Sequence, residues 1–169
     1  TEARNKIEEI APELDNSQLL ADVYEKAIQV SEDDMEKISL YERSAEIYTD
    51  SIKDSSKAAE CYESILKLDD SHIKAITALE SLYAAAKNYD KQVEVLRKHA
   101  ELTPNMLDQK DLFYRIAEIQ EKVLKKPEDA IATYQSILEL DSEDQISLDA
   151  LETLYGDSEN WEELIVILK

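Results

Sequence analysis

The sequence predicts an all-α protein, a right-handed α-solenoid of about five antiparallel helical hairpins. Three observations lead there. First, an average globular domain carries about 7% Gly and about 5% Pro, and turn-rich β folds need both; these 169 residues contain one Gly and three Pro. Second, the chain repeats itself. "YESILKLD" at 62–69 matches "YQSILELD" at 134–141, "LYERSAEI" at 40–47 matches "LFYRIAEI" at 112–119, and "ALESLYAAAKNYD" at 78–90 matches "ALETLYGDSENWE" at 150–162. All three pairs stand 72 positions apart, so residues 38–97 and 110–169 are two copies of one text. Third, the apolar residues of each copy recur at the i, i+3, i+4, i+7 spacing of amphipathic helices.

The elements follow in order. Leu40, Tyr41, Ala45, Ile47, Tyr48 and Ile52 form one helical stripe, and Ala58, Cys61, Tyr62, Ile65 and Leu68 the next. Ile76, Leu79, Leu82, Tyr83 and Ala86 form a third, and Val93, Leu96 and Ala100 a fourth. Breaks fall where capping residues cluster, at "DSSK" 54–57, "DDSH" 69–72, "KNYD" 87–90 and "LTPN" 102–105. Pro127 opens a helix, where its missing N–H costs little. A weaker third copy runs backwards: Ile7, Glu8 and Ile10 precede Leu79, Glu80 and Leu82 by the same offset. Half of 72 is 36 residues, the size of one helix–turn–helix. The whole of 1–169 is therefore expected to be a single repeat domain, with hairpins at about 2–33, 34–69, 70–105, 106–141 and 142–169. No such hairpin buries its apolar face alone, so neighbours must stack. The sequence starts and stops inside repeat text, which suggests a fragment of a longer array whose apolar ends, Leu164 and Leu168, promote self-association.

Charge and composition exclude several classes. The net charge is −20, from 19 Lys and Arg against 39 Asp and Glu. A nucleic-acid binder must neutralise phosphates with basic side chains, and an anionic membrane repels the same acidic surface. No stretch approaches the roughly 20 apolar residues of a membrane span, so no membrane insertion is expected and the chain reads as soluble and cytoplasmic. The one cysteine, Cys61, cannot form an internal disulfide and aligns with Thr133, which suits packing better than nucleophilic work. His72 sits in a capping cluster and is expected to be exposed; His99 is expected to be packed. Neither has metal-ligand spacing to a Cys, His or carboxylate. Asp33–Asp34 and Asp69–Asp70 lack the Gly and oxygen ladder of a calcium loop and read as helix caps. No metal or other cofactor and no catalytic set is expected, so the chain is not read as an enzyme.

One family is similar to these residues. Leu79 and Tyr83 stand four apart and Pro104 follows 21 residues after the Tyr, the pattern of a tetratricopeptide repeat (TPR). "IAEIQEKVLKKPEDAIATYQSILELD" resembles the family's small–large packing through Ala117, Ala130 and Tyr134, and Ala45, Tyr48, Ala58 and Tyr62 take the same roles one unit earlier, with one extra residue in the inter-helix turn. The chain departs from the family at Gln92 and Leu164, where a small residue is usual, and at Asp70 and Ser142, where a closing Pro is usual. This alternation resembles a divergent subfamily with a 72-residue double-hairpin period.

What the resemblance implies is a protein-binding superhelix whose first helices face the ligand. Carried over by register, the groove candidates are Glu42, Glu46 and Asp50 in the second hairpin and Thr77 and Ser81 in the third. Tyr114, Glu118 and Glu121 follow in the fourth, and Asp149 and Thr153 in the fifth. Members that clamp a C-terminal carboxylate need Lys, Arg and Asn at these places, so an acidic groove points instead to a Lys/Arg-rich peptide or protein segment. The expected function is a non-catalytic protein-interaction scaffold. The alternatives are a structural spacer or assembly strut in a larger repeat protein, or the regulatory domain of a multidomain enzyme.

Overall fold

The computed structural model describes residues 5–7, 9 and 16–167, leaving aside the side chains of Leu164, Val166 and Ile167. Glu8, Ile10, Leu168 and the Leu164 side chain lie outside the described residues. Residues 5–7 and 9 are helical. The helices that follow are α1 (Ser17–Val30), α2 (Asp34–Ile47), α3 (Ser55–Leu68), α4 (Ile73–Ala85), α5 (Tyr89–Leu102), α6 (Met106–Glu118), α7 (Pro127–Leu140), α8 (Gln145–Asp157) and α9 (Trp161–Ile167). There is no strand among the described residues. The protein has an all-α, TPR-like fold of helical hairpins, packed in sequence within each of two units.

The caps explain where the helices begin. Asp33 Oδ1 accepts from the Met35 N–H at 2.8 Å, Asp54 Oδ1 from the Lys57 N–H at 3.0 Å, and Asn105 Oδ1 from the Leu107 N–H at 2.9 Å. Each satisfies an N–H that the first turn leaves without a helical partner. Pro127 starts α7 without a side-chain cap. Asp69 does not cap α4 but holds the preceding turn, accepting from the N–H and Oγ of Ser71. The cap of α4 is His72, whose Nδ1 accepts from the Ala75 N–H at 3.2 Å. His72 is thus half-buried rather than exposed. His99 is half-buried too.

Two helices carry an unforeseen extension. α2 runs into a π-helical turn at Tyr48–Ile52, and α6 into another at Ile119–Val123. A π turn absorbs an extra residue without breaking the helix, so the residue that the sequence places in the inter-helix turn is taken up at the helix end. It also makes the hairpins unequal. α2, α4, α6 and α8 start at 34, 73, 106 and 145, spacings of 39, 33 and 39 residues. The connections then reverse through residues with positive φ: Lys53 (65°), Lys87 (56°), Lys125 (56°) and Glu159 (55°). Gly is the usual residue here. Lysine stands at three of the four turns, just past a helix C-terminus where positive charge is favourable.

The described residues form two units, 1–85 and 86–169. In the first, α1 packs on α2, α2 on α3 and α3 on α4. Its core gathers Ala21, Tyr24, Ile28, Leu40, Ile47, Tyr48 and Ala58. In the second, α5 packs on α6, α6 on α7, α7 on α8 and α8 on α9, around Leu96, Phe113, Ile116, Ala130, Tyr134, Ile137, Leu151 and Tyr155. The small residues read from the sequence, Ala45, Ala58, Ala117 and Ala130, are fully buried, which lets the helices approach closely. Ala86, assigned to the apolar stripe, is exposed just beyond the end of α4.

The single glycine, Gly156, lies in α8 rather than in a turn. A Cβ added there would meet nothing within 4 Å, and its φ is not in the left-handed region. Gly156→Ala should therefore stabilise the protein by about 0.5–1 kcal/mol, through the lower backbone entropy of the unfolded chain. Urea unfolding measures this, and a loss of stability would contradict it.

Candidate functional site

The first-helix positions carry the candidate face, and each unit presents its own part. In the first unit Glu42 and Glu46 stand one turn apart on α2, opposite the start of α4. Lys74 reaches both, with its Nζ 3.2 Å from Oε1 of Glu42 and 3.2 Å from Oε1 of Glu46. Arg43 holds the other oxygen of Glu46 at 2.9 Å, and His72 Nε2 lies 3.8 Å from Glu42 Oε1. Partial burial acts to raise the pKa of Glu46, but hydrogen bonds from Arg43 and Lys74 more than offset it and hold the carboxyl below its ordinary value. Asp50 lies exposed in the π turn. Thr77 and Ser81 are exposed on α4 and turn their hydroxyls onto their own helix, Thr77 Oγ1 donating to Ile73 O and Ser81 Oγ to Thr77 O.

In the second unit Tyr114 Oη donates to Asp144 Oδ2 at 2.6 Å, and Lys110 Nζ sits 2.5 Å from the same oxygen and 2.7 Å from Asp141 Oδ2. Asp144 is 7% exposed and also caps α8, accepting from the Ser147 N–H at 2.9 Å. Burial acts to raise its pKa, yet the hydrogen bonds from Lys110, Tyr114 and the Ser147 backbone hold it well below the usual carboxylate range. Burial and the Asp144 carboxylate push the Tyr114 phenol up to about 12. Glu118 is exposed and pairs with Lys122 one turn on, at 3.1 Å. Glu121 accepts from Tyr134 Oη at 3.4 Å. Asp149 accepts from Gln145 Nε2 at 2.6 Å, and Thr153 donates to the Asp149 carbonyl.

The structure thus brings Glu42 and Glu46 together around Lys74, and takes Tyr114 into a buried cluster with Asp144. Asp50, Thr77, Ser81, Asp149 and Thr153 stand on exposed positions of their helices. Lys74, Lys110 and Asp144 were not among the sequence candidates. A signal for them was present: at the 72-residue offset Glu42 becomes Tyr114 and Ile38 becomes Lys110, while His72 becomes Asp144 and Lys74 becomes Ile146, so the acid moves from the first helix to the start of the next hairpin. Both copies tie the first helix of one hairpin to the start of the next, with opposite polarity.

Among the described residues no group of three or more His, Cys, Asp or Glu is placed to hold a metal ion. No described helix is long and apolar enough to cross a membrane.

Residues 111–143, which span most of α6 and the whole of α7, match the family model of the tetratricopeptide repeat. The hairpin that carries the Leu79–Tyr83–Pro104 spacing lies outside that match. No curated protein sequence matches the chain. Among solved structures, a crystal structure of MamA protein superposes with a TM-score of 0.52 at 14% identity, over 98% of this chain and 86% of that one. A MamA double mutant (RS-1 ArsTM) gives 0.51 at 13% identity, over 98% and 88%. YrrB, a TPR protein with an unusual peptide-binding site, gives 0.46 at 22% identity, over 87% and 72%. At these identities the MamA superpositions speak for the fold alone.

Proposed function

We propose that this chain, which has the TPR-type fold and carries a tetratricopeptide repeat at 111–143, is a non-catalytic module that holds a Lys/Arg-rich segment of another protein on its first-helix faces. The observation that carries the reading is the exposed polar and acidic side chains on the first helices of each unit, in a chain of net charge −20. Repeat arrays use such extended surfaces for binding, and a strongly negative field raises the on-rate of a basic partner. The acceptors left for a partner in the first unit are the exposed Asp50 and Glu42 Oε2, because Lys74 and Arg43 already engage the other three carboxylate oxygens of Glu42 and Glu46. In the second unit they are Glu118, which releases only a surface ion pair, and Asp149.

Titration of the chain with a Lys/Arg-rich peptide at two salt concentrations tests this. Asp50→Lys with Glu118→Lys should weaken binding at least tenfold while leaving the Lys74 and Lys110 clusters intact. Raising salt from about 0.05 to 0.5 M should weaken the parent's binding as screening tightens. An affinity that neither change moves would exclude the acidic-face reading.

A further inference from the structure

The first unit contains a cavity on its second-helix side. About 170 Å³ of space opens between α1 and α3, over α2, lined by Glu25, Ser44, Tyr48, Lys57, Glu60 and Cys61 among others. A second space of about 400 Å³ continues from it past Ile28, Tyr41 and Ser64 toward Lys37 and Lys67. Together they make a groove on the second-helix side, away from the first-helix candidates.

Comparison at the 72-residue offset shows how the cavity arises. Arg97, Ile116, Gln120 and Thr133 of the second unit correspond to Glu25, Ser44, Tyr48 and Cys61. In the second unit Ile116 is fully buried in the core. Arg97 Nη2 donates to Thr133 Oγ1 at 3.2 Å, and Thr133 Oγ1 donates to Gln120 Oε1 at 2.7 Å. A guanidinium reaches over from α5 and closes the gap to α7.

In the first unit two of those changes matter most, one removing a filler and one putting an acceptor where a donor stood. Ser44 replaces Ile116, is fully buried, and its Oγ has no hydrogen-bond partner. Other helical hydroxyls, such as Ser64 and Thr49, donate back to their own helix; Ser44 does not, although leaving a buried hydroxyl unmet is costly. Glu25 replaces Arg97, accepts from Tyr48 Oη at 2.5 Å, and no described cation pairs with it. Lys57 is occupied over the Tyr48 ring, 5.0 Å from its centroid. Burial above all, with smaller contributions from Glu25 and Glu60, pushes the Cys61 thiol up to about 12.

We propose that this cavity takes an arginine side chain from a segment of a partner protein, which supplies from outside the guanidinium that Arg97 supplies from within in the second unit. The fork of donors meets the carboxylates of Glu25 and Glu60 and the hydroxyl of Ser44, while the methylene stem lies along Ile28 and Tyr41. Charge complementarity and the sister copy both select arginine over an apolar anchor.

The test is an NMR titration of the full chain with acetyl-Gly-Arg-Gly-amide, beside the same peptide bearing neutral citrulline. The Arg peptide should shift the amides of Ser44, Tyr48, Cys61 and Ser64, and the citrulline peptide should bind at least tenfold more weakly. Glu25→Gln, which keeps an acceptor for Tyr48, should weaken the Arg peptide about tenfold. The triple variant Glu25→Arg, Ser44→Ile, Cys61→Thr copies the second unit and should abolish binding while raising Tm. Equal binding of the two peptides, shifts confined to the first-helix faces, no binding at all, or indifference to Glu25→Gln would each overturn the proposal. Asp50→Lys with Glu118→Lys should leave these shifts unchanged, which separates this site from the acidic faces.

Discussion

Asp144→Ala should destabilise the protein by about 3 kcal/mol, because it removes a helix cap worth about 1 kcal/mol and strips a buried partner from Lys110 and Tyr114. Asp141 still pairs with Lys110 at 2.7 Å, which keeps the cost below that of a wholly orphaned buried charge. Asp144→Asn preserves an acceptor for the Ser147 N–H and should lose about half as much. Urea unfolding resolves these steps, and a loss under 1 kcal/mol for the Ala variant would show the cluster to be energetically idle. The same residue predicts a pH dependence. Its folded pKa lies below its unfolded value of about 3.9. Its contribution is therefore complete above about pH 4 and fades as pH falls below that toward the folded value. The Ala variant should lack that part of the acid loss. At the other end Lys110 is held above its ordinary value by Asp141 and Asp144, and Tyr114 titrates near 12. Their contributions hold below about pH 10 and are lost as pH rises past that through the folded values.

Leu151→Ala should cost a comparable 2–5 kcal/mol, the range for emptying a well-packed leucine site. Leu151 is fully buried in the second core, where Leu154 and Tyr155 also contribute. For a chain of this size the loss corresponds to a fall in Tm of roughly 5–15 °C. Leu151→Met keeps the volume and should cost under about 1.5 kcal/mol. Equal effects of Ala and Met would mean that the site collapses without a cavity.

Much of the architecture is legible in the amino-acid sequence, and the reason is periodicity. Helix starts recur: 34, 55 and 73 are followed by 106, 127 and 145. Apolar spacing reports helices directly, and Ala58, Tyr62, Leu79, Tyr83, Ala130 and Tyr134 are all buried. The π turns are not legible, since an added residue at a helix end leaves no compositional mark. Nor are the reversing residues, because lysine stands where glycine would announce the turn. The charged clusters escape for a different reason. Residues such as Glu42 or Asp144 read as solvated surface when each is taken alone. Only the fold carries Lys74 and Lys110 across to them, over separations of 28 to 34 residues.

The opposite polarity of the two clusters bears on how the chain finds its own fold. Near-identical hairpins invite mispairing during folding. If α2 docked on the start of α8, Glu42 and Glu46 would face Asp144 in place of His72, and Ile146 would stand where Lys74 belongs. If α6 docked on the start of α4, Lys110 would meet Asp69 in place of Asp141 but His72 in place of Asp144, and Tyr114 would lose its carboxylate acceptor. The first wrong partnership sets carboxylate against carboxylate, and the second takes away one of the two carboxylates that hold Lys110, so the reversal disfavours exchange of otherwise interchangeable pieces.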